Sequence, residues 1–172
     1  MEIRDAVPAD IQAITDIYNH AVLYTSSIWT EAQVDAVERQ DWLADRNENG
    51  YPVLVAVDES NEVLGYASFG DWRPKDGYRN TVEHSVYVHI NRRGVGIGET
   101  LMRALIPRAQ KLGKHVMVAA IEAKNFESIK LHKKLDFEMT GHMKEVGIKF
   151  GVWLDLALMQ LALDDRKMPN EG

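Results

Sequence analysis

Arg93-Gly94-Val95-Gly96-Ile97-Gly98-Glu99 is the stretch of this chain whose residue types and spacing speak first to chemistry. Its alternating glycines follow the apolar run Val86-Tyr87-Val88 and lead at once into a helical pattern. Glycine lets the backbone turn its N–H groups inward, and a helix N-terminus adds about half a positive charge. A loop so placed can cradle a pyrophosphate, or it can be a plain strand-to-helix turn. Counting excludes two phosphate motifs. A Walker loop ends in Gly-Lys-Ser/Thr, and Gly98-Glu99-Thr100 sets an acid where the lysine belongs. The dinucleotide fingerprint needs a further glycine three residues after its second, where this chain has Glu99 or Leu101.

The elements that position this loop follow from periodicity. Ile3 to Val7 reads as a first strand, and Pro8-Ala9-Asp10 opens a helix with Ile11, Ile14, Ile17, Tyr18 and Ala21 at helical spacing. Val34 to Arg46 reads as a second helix. Val53–Val57 and Val63–Phe69 form a hairpin across Asp58-Glu59-Ser60-Asn61. Thr81 to Ile90 is a strand with His84, Val86, Val88 and Ile90 on one face and Glu83, Ser85 and Tyr87 on the other. Leu101, Met102, Leu105, Ile106, Ala109 and Leu112 mark an amphipathic helix that Pro107 should kink and Gly113 should cap. His115 to Ile121 is apolar enough for a strand covered on both faces. Asn125–Leu135 is helical, with Phe137–Met143 and Phe150–Leu163 as closing strands. The order β-α-α-β-β-β-α-β-α-β-β gives a mixed sheet with helices on its faces, one domain over 1–163 and a flexible C-terminal tail over 164–172.

Composition narrows the function classes. A chain of 172 residues is about one domain's worth, and 45% hydrophobic with 27% charged residues is a globular balance, not a disordered one. The net charge of −6 repels a phosphate backbone, so no nucleic-acid partner is expected. The absence of cysteine excludes disulfides, thiolate metal sites and a cysteine nucleophile. The histidines lack metal-ligand spacing, so no metal is expected. Val116–Ile121, the longest wholly apolar run, is far short of the ~20 residues that cross a bilayer. With no leader-like start, the expectation is a cytoplasmic protein without a membrane partner.

Arg93-x-x-Gly96-x-Gly98 resembles the acyl-CoA signature of the GNAT superfamily of N-acetyltransferases. Asn125-x-x-Ser128-x-x-Leu131-His132-x-x-Leu135-Asp136-Phe137 is similar to that family's downstream Asn-x-x-Ala-x-x-Leu-Tyr-x-x-x-Gly-Phe pattern. It departs at His132, where many members carry a tyrosine that serves as general acid, and at Asp136, where glycine is usual. Gly70-Asp71-Trp72-Arg73-Pro74, Thr81-Val82-Glu83-His84-Ser85-Val86-Tyr87-Val88 and Val146-Gly147-x-Lys149-Phe150-Gly151-x-Trp153-Leu154-Asp155 resemble the phosphinothricin and methionine sulfoximine/sulfone N-acetyltransferases.

The resemblance implies an α/β fold, a mixed, mostly antiparallel sheet with a central splayed parallel strand pair and helices on both faces. It implies acetyl-CoA as co-substrate, no metal, and direct transfer of acetyl to the α-amino group of a small amino-acid analogue, a detoxification or resistance activity. It also implies a homodimer in which Lys149 to Trp153 reach towards the partner's site. Glu83 is then the base that takes the ammonium proton, directly or through a water. Val86, Tyr87 and Val88 offer backbone groups to pantetheine. Arg93 with Gly94, Val95, Gly96, Ile97, Gly98 and Glu99 hold the pyrophosphate, while Asn125 and Ser128 touch the thioester end. Arg73-Pro74-Lys75 and Glu83-His84-Ser85 contact the substrate, and Arg79 adds a cation to a loop whose arginine forks suit oxyanions. Ser85 has no readable Ser-His-Asp arrangement and is not a nucleophile. The alternatives are a protein or peptide N-acetyltransferase and a non-catalytic acyl-CoA-binding module.

Overall fold

The apolar run Val53–Val57 is out of water along its whole length, as expected of a strand covered on both faces. The computed structural model describes residues 1–169. In chain order its elements are β1 (Glu2–Asp5), α1 (Ile11–Tyr24), α2 (Ala36–Glu48), β2 (Val53–Val57), β3 (Val63–Asp71) and β4 (Thr81–Val88), then α3 (Ile97–Lys111), β5 (Val116–Glu122), α4 (Phe126–Lys134), β6 (Glu138–Lys149) and β7 (Val152–Ala162). The strands form one sheet in the order β1-β2-β3-β4-β5-β7-β6. Every pairing is antiparallel except β4 with β5. The mixed, mostly antiparallel sheet with one parallel pair is as expected.

The sheet is covered on both faces. Leu101, Met102, Leu105 and Ala109 of α3 pack on one face with Leu54, Ala56 and Phe69. Ile11, Ile14 and Ile17 of α1 and Leu43 of α2 pack on the other with Val53, Val55 and Tyr66. The strand period sorts β4 between them: Val82, Val86 and Val88 join the α3 side, Tyr87 the α1–α2 side.

Several boundaries move, each for a local reason. Pro8–Asp10 is a separate 3-10 turn, fixed by the Asp10 carboxylate accepting from the Val7 N–H (2.8 Å) and from Arg4 (2.7 Å), so β1 stops at Asp5. Asp35 caps α2 by accepting from the Glu38 N–H at 2.8 Å, which starts that helix at Ala36 rather than Val34. Ile90 lies in a 3-10 turn beyond the end of β4. α3 continues through Pro107 to Lys111. β6 runs on to Lys149 past an irregularity at Met143–Gly147, where Glu145 has φ +54; this polar interruption hid its length. Phe150 (φ +51) and Gly151 (φ +73) make the hairpin turn, so β7 begins at Val152.

The segment after Leu163 makes specific contacts. Asp164 Oδ1 lies 2.7 Å from His115 Nδ1, and the Arg166 guanidinium donates to the Gly113 carbonyl at 2.8 Å. The remainder of the expected tail, 170–172, lies outside the described residues.

The parallel pairing is short. Thr81, Val82 and Glu83 match Val116, Met117 and Val118, and no pair follows. Beyond that point β3 still pairs β4 as far as Val88, and β7 still pairs β5 as far as Glu122. The two central strands therefore part, each held on its outer side.

Candidate active site

A cleft opens where β4 and β5 separate. Glu83 to Tyr87 line one wall and Ala119 to Glu122 the other, with Ser27–Trp29 from the α1–α2 connection and Asn125, Ser128 and His132 completing it. Beyond Glu83 the β5-facing edge of β4 has no strand partner. Its backbone groups can bond an extended ligand as they would an added strand.

Glu83 is half-buried at the point of divergence. Burial pushes its carboxyl up from the ordinary value, and the nearby Arg73 charge opposes this with a smaller effect. A carboxylate so placed is a stronger base than one in water.

The glycine loop sits beyond the end of β4. Gly94 (φ +78) and Gly96 (φ +88) occupy the left-handed region, and Gly96 is the N-cap of α3. A Cβ on either would meet nothing within 4 Å, so the requirement for glycine there is dihedral, not steric crowding. The N–H groups of Ile97, Gly98 and Glu99 open the helix without intrahelical acceptors and are free to bond an anion. Ile97 is buried and anchors the helix start, while Val95 is exposed. Arg93 Nε donates to the Val88 carbonyl at 3.3 Å, tying the loop to β4. The Glu99 carboxylate is held by Lys134 and by Arg103, 2.9 Å away, which keeps its charge neutralised beside the helix start.

Asn125 caps α4, its Oδ1 accepting from the Ser128 N–H at 3.1 Å. That leaves its side-chain NH2 without a hydrogen-bond partner among the described residues, at the wall of the cleft.

An imidazole pair lies beneath the cleft, joining residues 48 apart that no local pattern connects. His84 Nε2 and His132 Nε2 are 3.0 Å apart, with the rings nearly parallel and Phe137 edge-on to both. The Ser128 carbonyl lies 2.7 Å from His132 Nδ1 and can only accept, so Nδ1 carries the proton there. His132 Nε2 is then the acceptor and His84 Nε2 the donor. Burial lowers the pKa of His84 to about 3 and lowers that of His132, so both rings are neutral at pH 7.

The α1–α2 connection is latched to the far side of the cleft by residues 120 or more positions away in part. Lys149, 2% exposed, donates to the carbonyls of Thr25 (2.7 Å) and Ile28 (2.6 Å), spans of 124 and 121 residues. The Trp29 ring lies flat enough on Gly147 that a Cβ there would stand 2.1 Å from it. The buried carboxylate of Glu122 accepts from the Ser26 hydroxyl at 3.4 Å and from the Lys124 N–H at 3.0 Å. Lys149 was legible only as a member of a motif; Glu122 carried no signal.

Of the expected site residues, the cleft gathers Glu83, His84, Ser85, Val86, Tyr87, Asn125 and Ser128. His84 turns to the α4 side, with Ser85 exposed. Arg73, Pro74 and Lys75 are exposed and do not line the cleft; the Arg73 guanidinium rests over Trp72 at 4.7 Å. Arg79 is exposed and donates to the Asp76 carbonyl at 3.2 Å. Among the described residues no group of three or more His, Asp or Glu side chains could hold a metal ion, and no helix is long and apolar enough to cross a membrane.

Comparison with known proteins agrees with this geometry. The model of the acetyltransferase (GNAT) family matches residues 14–137. The L-methionine sulfoximine/L-methionine sulfone acetyltransferase of Pseudomonas aeruginosa is 58% identical over 162 residues, covering 94% of each chain. The phosphinothricin N-acetyltransferase of Streptomyces coelicolor is 36% identical over 159 residues, covering 91% of this chain and 93% of its own. The solved structure of a putative acetyltransferase from Salmonella typhimurium with its cofactor acetyl-CoA superposes with a TM-score of 0.96 at 55% identity, over 99% of this chain and 98% of that one.

Proposed function

This chain belongs to the GNAT family of acetyltransferases, and we propose that it transfers acetyl from acetyl-CoA to the α-amino group of a small amino acid with an oxygen-rich side chain. L-methionine sulfone and L-methionine sulfoximine are the favoured substrates, phosphinothricin a further one. The relatives' names support the substrate class. The observation that carries the reaction is Glu83, its carboxyl desolvated at the point where the strand edge of β4 becomes free.

In this reading the pantetheine arm lies along the open edge of Val86, Tyr87 and Val88. The pyrophosphate meets the N–H groups of the Gly94–Glu99 loop, and the Asn125 amide bonds near the thioester. Glu83 removes a proton from the substrate ammonium, directly or through a water. The free amine attacks the thioester carbonyl, the C–S bond breaks, and CoA leaves as its thiolate. His132, at the position of the tyrosine acid in many members, is 1% exposed with both ring nitrogens engaged. It directs no proton into the cleft, so the thiolate takes its proton from solvent or from the pool that Glu83 returns.

The chain pairs with a second copy through the β6–β7 hairpin, where Ile148, Phe150, Val152 and Trp153 are all exposed. Isolated chains seldom leave such an apolar cluster open to water. The use of acetyl-CoA, a metabolite of the cell interior, supports a cytoplasmic setting for the reaction.

One experiment tests these statements together. Sedimentation should first give twice the 19.5 kDa chain mass. CoA release is then followed with L-methionine sulfone, L-methionine sulfoximine, phosphinothricin, plain methionine and a lysine peptide. Selective turnover of the oxygen-rich analogues is expected. Turnover of the peptide alone, or of nothing, would contradict the substrate assignment.

A further inference from the structure

Arg46 stands out among the arginines. The guanidinium of every other arginine except Arg73 hydrogen-bonds a carboxylate or a backbone carbonyl oxygen among the described residues. Arg46 is half-buried, and its Nε is fully buried with no partner. An unpaired buried donor on a charged group is costly to maintain. Asp45, its neighbour in the chain, and Asp71, which follows Gly70, are already engaged. Asp71 accepts from the Tyr51 hydroxyl and faces Lys114 at 3.6 Å, while Asp45 accepts from the Asn49 side chain at 3.2 Å.

Its position is as informative as its lack of a partner. Arg46 lies on α2 one turn after Trp42, whose ring is 5.9 Å from the guanidinium carbon. The guanidinium fills the space above Gly70, where a Cβ would stand 1.9 Å from one terminal nitrogen and 2.6 Å from the guanidinium carbon. Gly70 is the cross-strand partner of Glu83. Cross-strand partners project on the same face with Cβ positions about 5 Å apart. The register therefore places the space that this guanidinium fills on the same sheet face as Glu83, with no ion pair between the two residues.

We infer that Arg46 binds the α-carboxylate of the amino-acid substrate, an inference that rests on the reading of the site given above. The α-carboxylate is one carbon removed from the amine, so the cation that holds it must stand next to the base that takes the amine's proton. It is also the anion that methionine sulfone, methionine sulfoximine and phosphinothricin share, whereas a sulfone is uncharged. The guanidinium fork matches a carboxylate in a bidentate pair. Gly70 keeps the room that this fork occupies.

The test compares L-methionine sulfone with its α-carboxamide in the wild type and in Arg46→Gln. The variant should raise KM for the acid about tenfold or more, the usual cost of losing one charge-assisted hydrogen bond. KM for the amide, kcat and acetyl-CoA binding should each stay within about twofold of the wild type. Gly70→Ala leaves Arg46 in place and displaces its fork, and the same selective rise in KM is expected. That variant carries the test if Arg46→Gln does not fold. Equal losses on acid and amide, or an unchanged KM for the acid in both variants, overturn the assignment of Arg46 alone. A wild type that acetylates no amino acid overturns the functional reading and this inference with it.

Discussion

Glu83→Gln is expected to lower kcat for L-methionine sulfone by about 10²- to 10⁴-fold, the range that a positioned general base contributes. Acetyl-CoA binding should be unchanged, because the glycine loop and the open strand edge proposed to hold it lie beyond Glu83 along the chain. The pH profile gives a second reading of the same group. A base acts when deprotonated, and burial raises the Glu83 pKa from its ordinary value. The acid limb of kcat/KM should therefore lie above the ordinary carboxylate value, activity falling as pH drops through it. In the glutamine variant that limb should disappear. Stopped assays of CoA release from mildly acidic to alkaline pH check both points. A variant with wild-type kcat would remove Glu83 from the chemistry.

Gly96→Val should weaken acetyl-CoA binding about tenfold or more. The φ of +88 at Gly96 lies where a residue with a side chain costs roughly 1–2 kcal/mol, and a β-branched one more. No neighbour lies within 4 Å of an added Cβ, so the effect comes from the backbone and not from a clash in the core. The valine loop relaxes away from the left-handed cap, and the N–H groups opening α3 no longer converge. Titration with acetyl-CoA reads the loss, while the melting temperature should move little. Gly98, with φ outside that region and only ordinary contacts for a Cβ at 3.5 Å or more, should tolerate alanine better. Equal sensitivity at both positions would contradict the dihedral argument.

These two residues were legible in the sequence because their signals are local. The glycine spacing and the period-2 pattern of Thr81–Val88 both act within a few residues, and the structure follows both. The splay of β4 from β5 was legible only through resemblance, because it depends on where a parallel pairing stops, which no local pattern encodes. Other features arise from contacts between distant positions: the His84–His132 pair joins residues 48 apart, and the Lys149 latch joins residues 124 apart. Arg46 reads in sequence as one more charge on an exposed helix face. Its meaning appears only when Gly70 and Glu83 are placed under it by the β3–β4 register. The length of β6 was missed because Lys144 and Glu145 interrupt its apolar pattern, where the register with β7 also shifts.

The central claim is that amine and thioester meet in one cleft and that acetyl passes directly between them. Initial velocities with acetyl-CoA varied against L-methionine sulfone test it most directly. Intersecting double-reciprocal lines are expected, with no CoA released before the amine is added. Parallel lines, with a burst of CoA from acetyl-CoA alone, would show an acetylated enzyme and contradict the account.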